Sequence, residues 1–169
     1  IELYNRNKEF YLNGAAGPDT RDAPTSGEIA QINVFIRFAD DPDFPFPRSH
    51  YDAVFQTDED EPSLRHYFWE ISYDTLMVNT FHYPGTFDGS NTAYVDEYNR
   101  SYYEPYSNAN PDGYQSDTER ATREHTLLAN AVNAISPSVS ALIDIDADDD
   151  GFVDAVSFVV YGTPGDWAD

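Results

Sequence analysis

The chain contains no cysteine. That excludes a disulfide framework and a thiolate metal site. Lysine is nearly as scarce: Lys8 is the only one among nine basic residues, set against 31 acidic ones, for a net charge of −22. Nucleic acid and anionic membrane both require positive surface, so neither is expected as a partner. No apolar run reaches the length needed to cross a bilayer, so no membrane span is expected. There is no internal repeat. The chain starts at Ile1 with neither Met nor a signal peptide, which reads as a processed or trimmed product. A charge of this sign suits metal cations, a basic partner, or a high-salt or extracellular setting.

Aromatic residues, in contrast, are plentiful, with thirteen Tyr and eleven Phe. They supply a real core, so the chain is not read as disordered despite its charge. A length of 169 residues suits one domain or a large part of one.

The densest signal is Asp144 to Gly162, DIDADDDGFVDAVSFVVYG. Its first part puts carboxylates at alternate positions: Asp144, Asp146, Asp148 and Asp150, followed by Gly151 and Asp154. Folding would concentrate that charge, and a hard divalent cation with oxygen ligands resolves the repulsion. The register of Asp146, Asp148, Asp150 and Gly151 matches the first half of an EF-hand loop. In that register Phe152 offers a backbone carbonyl and Asp154 a further carboxylate. The twelfth position is Ser157 rather than Glu, so the loop is a shorter D-x-D-x-D-G-x-x-D form running into a strand. Asp146, Asp148, Asp150, Phe152 and Asp154 are the candidate calcium ligands, with Asp144 as a further candidate. The second part, Val153 to Tyr161, is almost continuously apolar and reads as a central strand buried on both faces.

Elsewhere the chain alternates strand and helix patterns. Residues 1–27 read as an irregular arm with one short strand at Phe10 to Leu12, leaving 28–169 as the structured part. From Glu28 to Phe38, Ile32, Val34, Ile36 and Phe38 alternate with Gln31, Asn33, Phe35 and Arg37, as in a half-buried strand. A proline-rich loop and a short apolar segment, Tyr51 to Phe55, follow. Asp58 to Glu61 reads as a solvated acidic turn. Ser63 is placed as an N-cap, and Leu64, Tyr67, Phe68 and Ile71 form the expected core stripe of a helix. His66 and Glu70 on its flank read as a surface pair rather than as zinc ligands. A second strand runs through Leu76, Val78 and Thr80, with His82 near its end. A long Tyr-rich loop spans about Gly85 to Gln115. Ser116 and Glu119 make a capping box for a helix whose stripe is Ala121, His125, Leu128, Val132 and Ile135, stopped by Pro137. His125 is expected to be partly buried. The order predicts an α/β (α+β) architecture, a mixed sheet with helices packed on it.

Three stretches together resemble secreted zinc metallopeptidases of the immune inhibitor A type. INVFIRFADDPDF (Ile32 to Phe44) is similar to that family's first strand and acidic exit. SLRHYFWEISYDTLMV (Ser63 to Val78) is similar to its S-V-R-x-Y-Y-x-E-x-S-Y-G-x-L segment, with Asp74 where the family usually has Gly. DADDDGFVDAVSFVVYG (Asp146 to Gly162) is similar to its D-N-D-G-D-G-x-V-D-A segment and the following strand and glycine, with Asp149 where the family usually has Gly or Asn. The resemblance spans roughly Ile29 to Gly162.

It implies a zincin-like fold, present here as an incomplete domain, the N-terminal half of a catalytic domain with the calcium loop before the central strand. It also implies a secreted endopeptidase acting on protein or peptide substrates. The family's H-E-x-x-H zinc helix lies downstream of that glycine. His50, His66, His82 and His125 form no such motif, so no residue of this chain is expected to be catalytic, and zinc is expected on the remainder of the catalytic domain. The alternative reading is a non-catalytic extracellular calcium-binding module that uses the Tyr-rich loop for binding or assembly.

Overall fold

The computed structural model describes residues 23–57 and 61–162. The expected strand at Phe10 to Leu12, most of the expected arm and most of the acidic turn at Asp58 to Glu61 lie outside them. The architecture is mixed α/β with a mostly parallel sheet and three helices. The strands are β1 (Gly27–Arg37), β2 (Leu76–Tyr83), β3 (Thr86–Phe87), β4 (Ser90–Asn91), β5 (Tyr94–Val95) and β6 (Ala155–Val160). The helices are α1 (Arg48–Gln56), α2 (Leu64–Ile71) and α3 (Asp117–Ile135). In the main sheet β1 bonds to β2, β5 and β6, and β3 and β4 form a separate antiparallel pair.

The central strand is therefore β1, and β6 pairs with β1 alone among the described residues. This corrects the placing of Val153 to Tyr161 at the centre of the sheet. The burial follows the pairing. Every residue from Ile29 to Ile36 is buried, polar Gln31 and Asn33 included. In β6 no residue is fully buried and Val156 is 43% exposed. A strand with one bonded edge keeps a wetter surface than one bonded on both.

The described residues fall into two compact units. One comprises residues 23–33, 48–57, 61–82 and 139–157, and the other 34–47, 83–138 and 158–162.

In the first unit, Ile29, Leu76 and Val78 form an apolar core with Phe68 and Ala155 packed on it. Ser63 caps α2, its hydroxyl accepting from the His66 amide at 3.1 Å. The packed face of α2 differs from the expected stripe, because Tyr67 and Ile71 are exposed while Phe68 reaches the core. Arg65 Nη2 donates to the Met77 sulfur at 2.8 Å. His66 and Glu70 form the expected surface pair at 3.4 Å. Tyr51 to Phe55 belongs to α1, a helix the apolar pattern did not declare.

The same unit holds a buried polar chain that crosses the sheet. Gln31 Nε2 donates to Ser157 Oγ at 2.6 Å, and the Ser157 hydroxyl donates to Asn33 Oδ1 at 2.8 Å. The Asn33 amide lies 2.8 Å from His82 Nδ1. With Asn33 Oδ1 already accepting, its NH2 group must be the donor to His82, which fixes the ring proton on Nε2. That nitrogen lies 3.5 Å from Asp52 of α1. Burial first, and then the nearby Arg48 charge, hold the His82 pKa down to about 4. The ring is therefore neutral at pH 7.

In the second unit, Phe35, Phe38, Ile36 and Leu127 are the largest fully buried side chains. Phe44 meets Phe35 and Tyr161 edge-on, with ring centroids 5.2 and 5.5 Å apart. Ser116 caps α3 by accepting from the Glu119 amide, and Glu119 accepts in return from the Gln115 amide. The buried face of α3 is Leu127, Ala131 and Ile135. Ile135 is buried as expected, Leu127 and Ala131 are buried in place of their neighbours Leu128 and Val132, and His125 is exposed rather than partly buried. The Arg123 side chain donates to the Tyr102 and Asp112 carbonyls. The long Tyr-rich loop is ordered by β3, β4, β5 and a 3-10 turn at Arg100–Tyr103.

Candidate metal centre

The acidic loop occupies residues 144–154, between a turn at 141–143 and β6. The first unit contains all of it. Two backbone features shape it. Gly151 has φ +86° and Asp149 has φ +56°, both left-handed. Glycine reaches that region without steric cost, and aspartate tolerates it better than most residues. The sharp turn expected at Gly151 is present, and the adjoining turn at Asp149 falls on an aspartate.

These turns fold the carboxylates inward. One oxygen each from Asp146, Asp148 and Asp150 lie within 4.8 Å of one another. Backbone N–H groups hold the side chains in place. Asp146 accepts from the Asp150 and Gly151 amides at 3.0 and 2.9 Å. Asp148 accepts from the Asp150 amide at 3.2 Å, and Asp150 accepts from the Phe152 amide at 2.7 Å. The backbone thus orients three anionic groups toward one point. Among the described residues no Arg, Lys or His pairs with any of the three.

The other expected ligands stand differently. Asp154 accepts from the Ala147 amide at 2.8 Å, closing the loop across its base, and lies outside the three-carboxylate cluster. Its pKa is raised, first by burial and further by the charges of Asp148, Asp146 and Asp150. Asp144 also lies outside the cluster, its Oδ1 accepting from the Asp146 amide at 3.3 Å. The Phe152 amide is tied into the loop by donating to Asp150.

The arrangement suits a hard cation. Oxygen donors of high negative charge, preset by backbone amides and free of a competing internal cation, match the ligand chemistry of calcium or magnesium, and a site without nitrogen or sulfur donors gives no preference for zinc. Three carboxylates supply part of the six to eight oxygens that calcium takes. The loop can hold a cation and tie β6 to the turn before it. It offers no nucleophile and no general base placed against a reacting atom.

The polar chain of Gln31, Ser157, Asn33, His82 and Asp52 escaped the sequence reading. Its signal was present: Gln31 and Asn33 alternate within a strand that also carries Phe35, and polar residues sharing a face with a large aromatic point to a satisfied buried network. No helix of the described residues is long and apolar enough to cross a membrane. Comparison with family models, with curated proteins and with solved structures finds no match to this chain.

Proposed function

We propose that the loop 144–154 binds one calcium ion through Asp146, Asp148 and Asp150, with Asp154, the Phe152 carbonyl and Asp144 as candidate further ligands. We propose further that the chain is the N-terminal part of the catalytic domain of a secreted zinc metalloendopeptidase of the immune inhibitor A type. The observation that carries the reading is the convergence of three carboxylates, with no Arg, Lys or His paired to them among the described residues. When bound, calcium would neutralise this charge and hold the loop against β6. A second observation supports the resemblance. Asp74 and Asp149 occupy positions where that family usually has a glycine (Asn also serving at the second), and both have positive φ, +61° and +56°. The pattern thus agrees with the backbone at the very residues where the sequences differ.

In this reading zinc, its ligands and the general base belong to the remainder of the catalytic domain. No residue of this chain is catalytic. Its own residues supply the sheet and the calcium loop.

Two measurements test the two halves of the proposal. Thermal unfolding with saturating calcium should exceed that with chelator by about 4 kcal/mol at a thousandfold excess over the dissociation constant. Asp150→Ala should remove most of that difference, whereas equal melting with calcium and chelator would sink the calcium site. The coding sequence downstream of Asp169 should encode H-E-x-x-H. A downstream sequence without it would leave the non-catalytic calcium-binding module as the account.

A further inference from the structure

The second unit carries a stack of rings that ends at its surface. The Tyr98 and Tyr102 rings are stacked with centroids 4.0 Å apart and planes 12° from parallel. The Arg123 guanidinium lies 3.7 Å from the Tyr102 centroid. Two groups that close to one ring centre cannot share a face, so Arg123 and Tyr98 sandwich Tyr102. Arg123 is held in place by Glu119 at 2.6 Å and by the carbonyls of Tyr102 and Asp112. The inner end of the ladder is therefore a fixed cation. Its outer end is Tyr98, which remains 41% exposed although one face is covered by Tyr102.

Tyr98 follows two acidic residues in the chain, Asp96 and Glu97. Glu97, next in the chain, is exposed and raises the Tyr98 pKa more than any other group, with Tyr102, burial and Asp96 adding to it. The surface around the ring thus favours a positive charge. A tyrosine face attracts a cation through its ring quadrupole, and a planar guanidinium stacks on it better than a compact ammonium. The chain as a whole, at −22, would draw a basic segment toward it.

We propose that the outward face of Tyr98 is a docking point for an arginine side chain carried by a positively charged segment of a partner protein. The incoming guanidinium would complete an Arg–Tyr–Tyr–Arg ladder, with Glu97 beside it as counter-charge. This site is independent of the calcium loop.

The test uses a hexapeptide of alternating arginine and glycine, with matched peptides carrying lysine or citrulline, titrated into the chain in calcium. The readout is the aromatic proton NMR signals of the tyrosines. The arginine peptide should shift the Tyr98 and Tyr102 ring signals, the lysine peptide should shift them less, and the citrulline peptide should leave them in place. Tyr98→Leu should weaken arginine-peptide binding roughly two- to five-fold, the range of an exposed cation–π contact. Tyr98→Phe, which keeps the ring, should bind as the wild type does, and Glu97→Gln should bind more weakly. Asp148→Asn should leave the Tyr98 shifts unchanged. Saturation without movement of the Tyr98 signals would overturn the proposal. So would equal binding by Tyr98→Leu, or lysine and arginine peptides that act alike.

Discussion

Two sets of aspartates in this chain are partnered in different ways. In the second unit, Asp41 is held by Arg100 at 2.9 and 3.0 Å and by the Phe38 amide at 3.0 Å. Asp96 is buried and accepts from the Tyr103 hydroxyl at 2.8 Å and the Tyr98 amide at 3.2 Å. Burial, and then that bond to Asp96, raise the Tyr103 pKa well above the usual tyrosine range, so it remains a donor at any physiological pH. In the acidic loop, Asp146, Asp148 and Asp150 receive only backbone N–H groups and face one another. The first set is completed by the chain's own groups. Among the described residues the second receives no side-chain donor. A count of acidic residues does not separate the two cases, and the groups that each carboxylate accepts from do.

The sharpest way to break this comparison is to remove the internal cation. Arg100→Ala removes the guanidinium that pairs with the Asp41 carboxylate, leaving Arg37 bonded only to the Asp41 carbonyl, and should cost about 2–3 kcal/mol, with or without calcium. Chemical denaturation measures it. A loss under about 1 kcal/mol would mean that Asp41 needs no internal partner and would erase the contrast. The same substitution removes the guanidinium's bond to the Tyr161 carbonyl, next to Gly162, where φ of +115° favours glycine.

The buried polar chain offers a neutral case between the two. Asn33→Leu leaves the Ser157 hydroxyl and His82 Nδ1 without their partner and should cost about 2–3 kcal/mol. In the wild type, protonating His82 would set a ring N–H against the Asn33 NH2. The folded pKa lies below the unfolded value, so this contribution is fully present above about pH 6.5 and is lost as pH falls toward about 4. Denaturation midpoints across that window should fall with acidification in the wild type. They should fall less in a His82→Gln variant.

A smaller effect sharpens the contrast by its sign. Asp148→Asn should stabilise the chain in chelator, by about 0.5 kcal/mol, because it relieves like-charge repulsion. In calcium it should destabilise. The Asp154 pKa, raised first by burial, carries a smaller contribution from those charges. The smallest effect belongs to the strained turns. Asp149→Gly should gain at most about 1 kcal/mol, since only its positive φ is relieved.

What could be read in advance followed from local rules. Ser63 and Ser116 cap their helices because a capping hydroxyl answers to its own neighbours, and both caps are present. The clustered carboxylates were legible because the alternate Asp spacing and Gly151 act within one turn. What could not be read depends on partners distant in sequence. β1 was expected to be half-buried, and only the coverage of both its faces buries Asn33 completely. β6 was read as central because Val153 to Tyr161 is apolar, but its single paired edge leaves it wetter than its composition suggests. The packed faces of the two helices likewise depend on what lies against them: Phe68 packs on the core while Tyr67 and Ile71 are exposed, and Leu127 and Ala131 are buried in α3.

The central claim is that the acidic loop requires a cation from outside the chain. Calorimetric titration of the chelator-stripped chain with calcium tests it most directly. The account predicts one calcium per chain, with binding abolished in Asp146→Asn and Asp150→Asn and unchanged in Arg100→Ala provided that variant is folded. No heat of binding in the wild type, or equal binding by the Asp150→Asn variant, would contradict it.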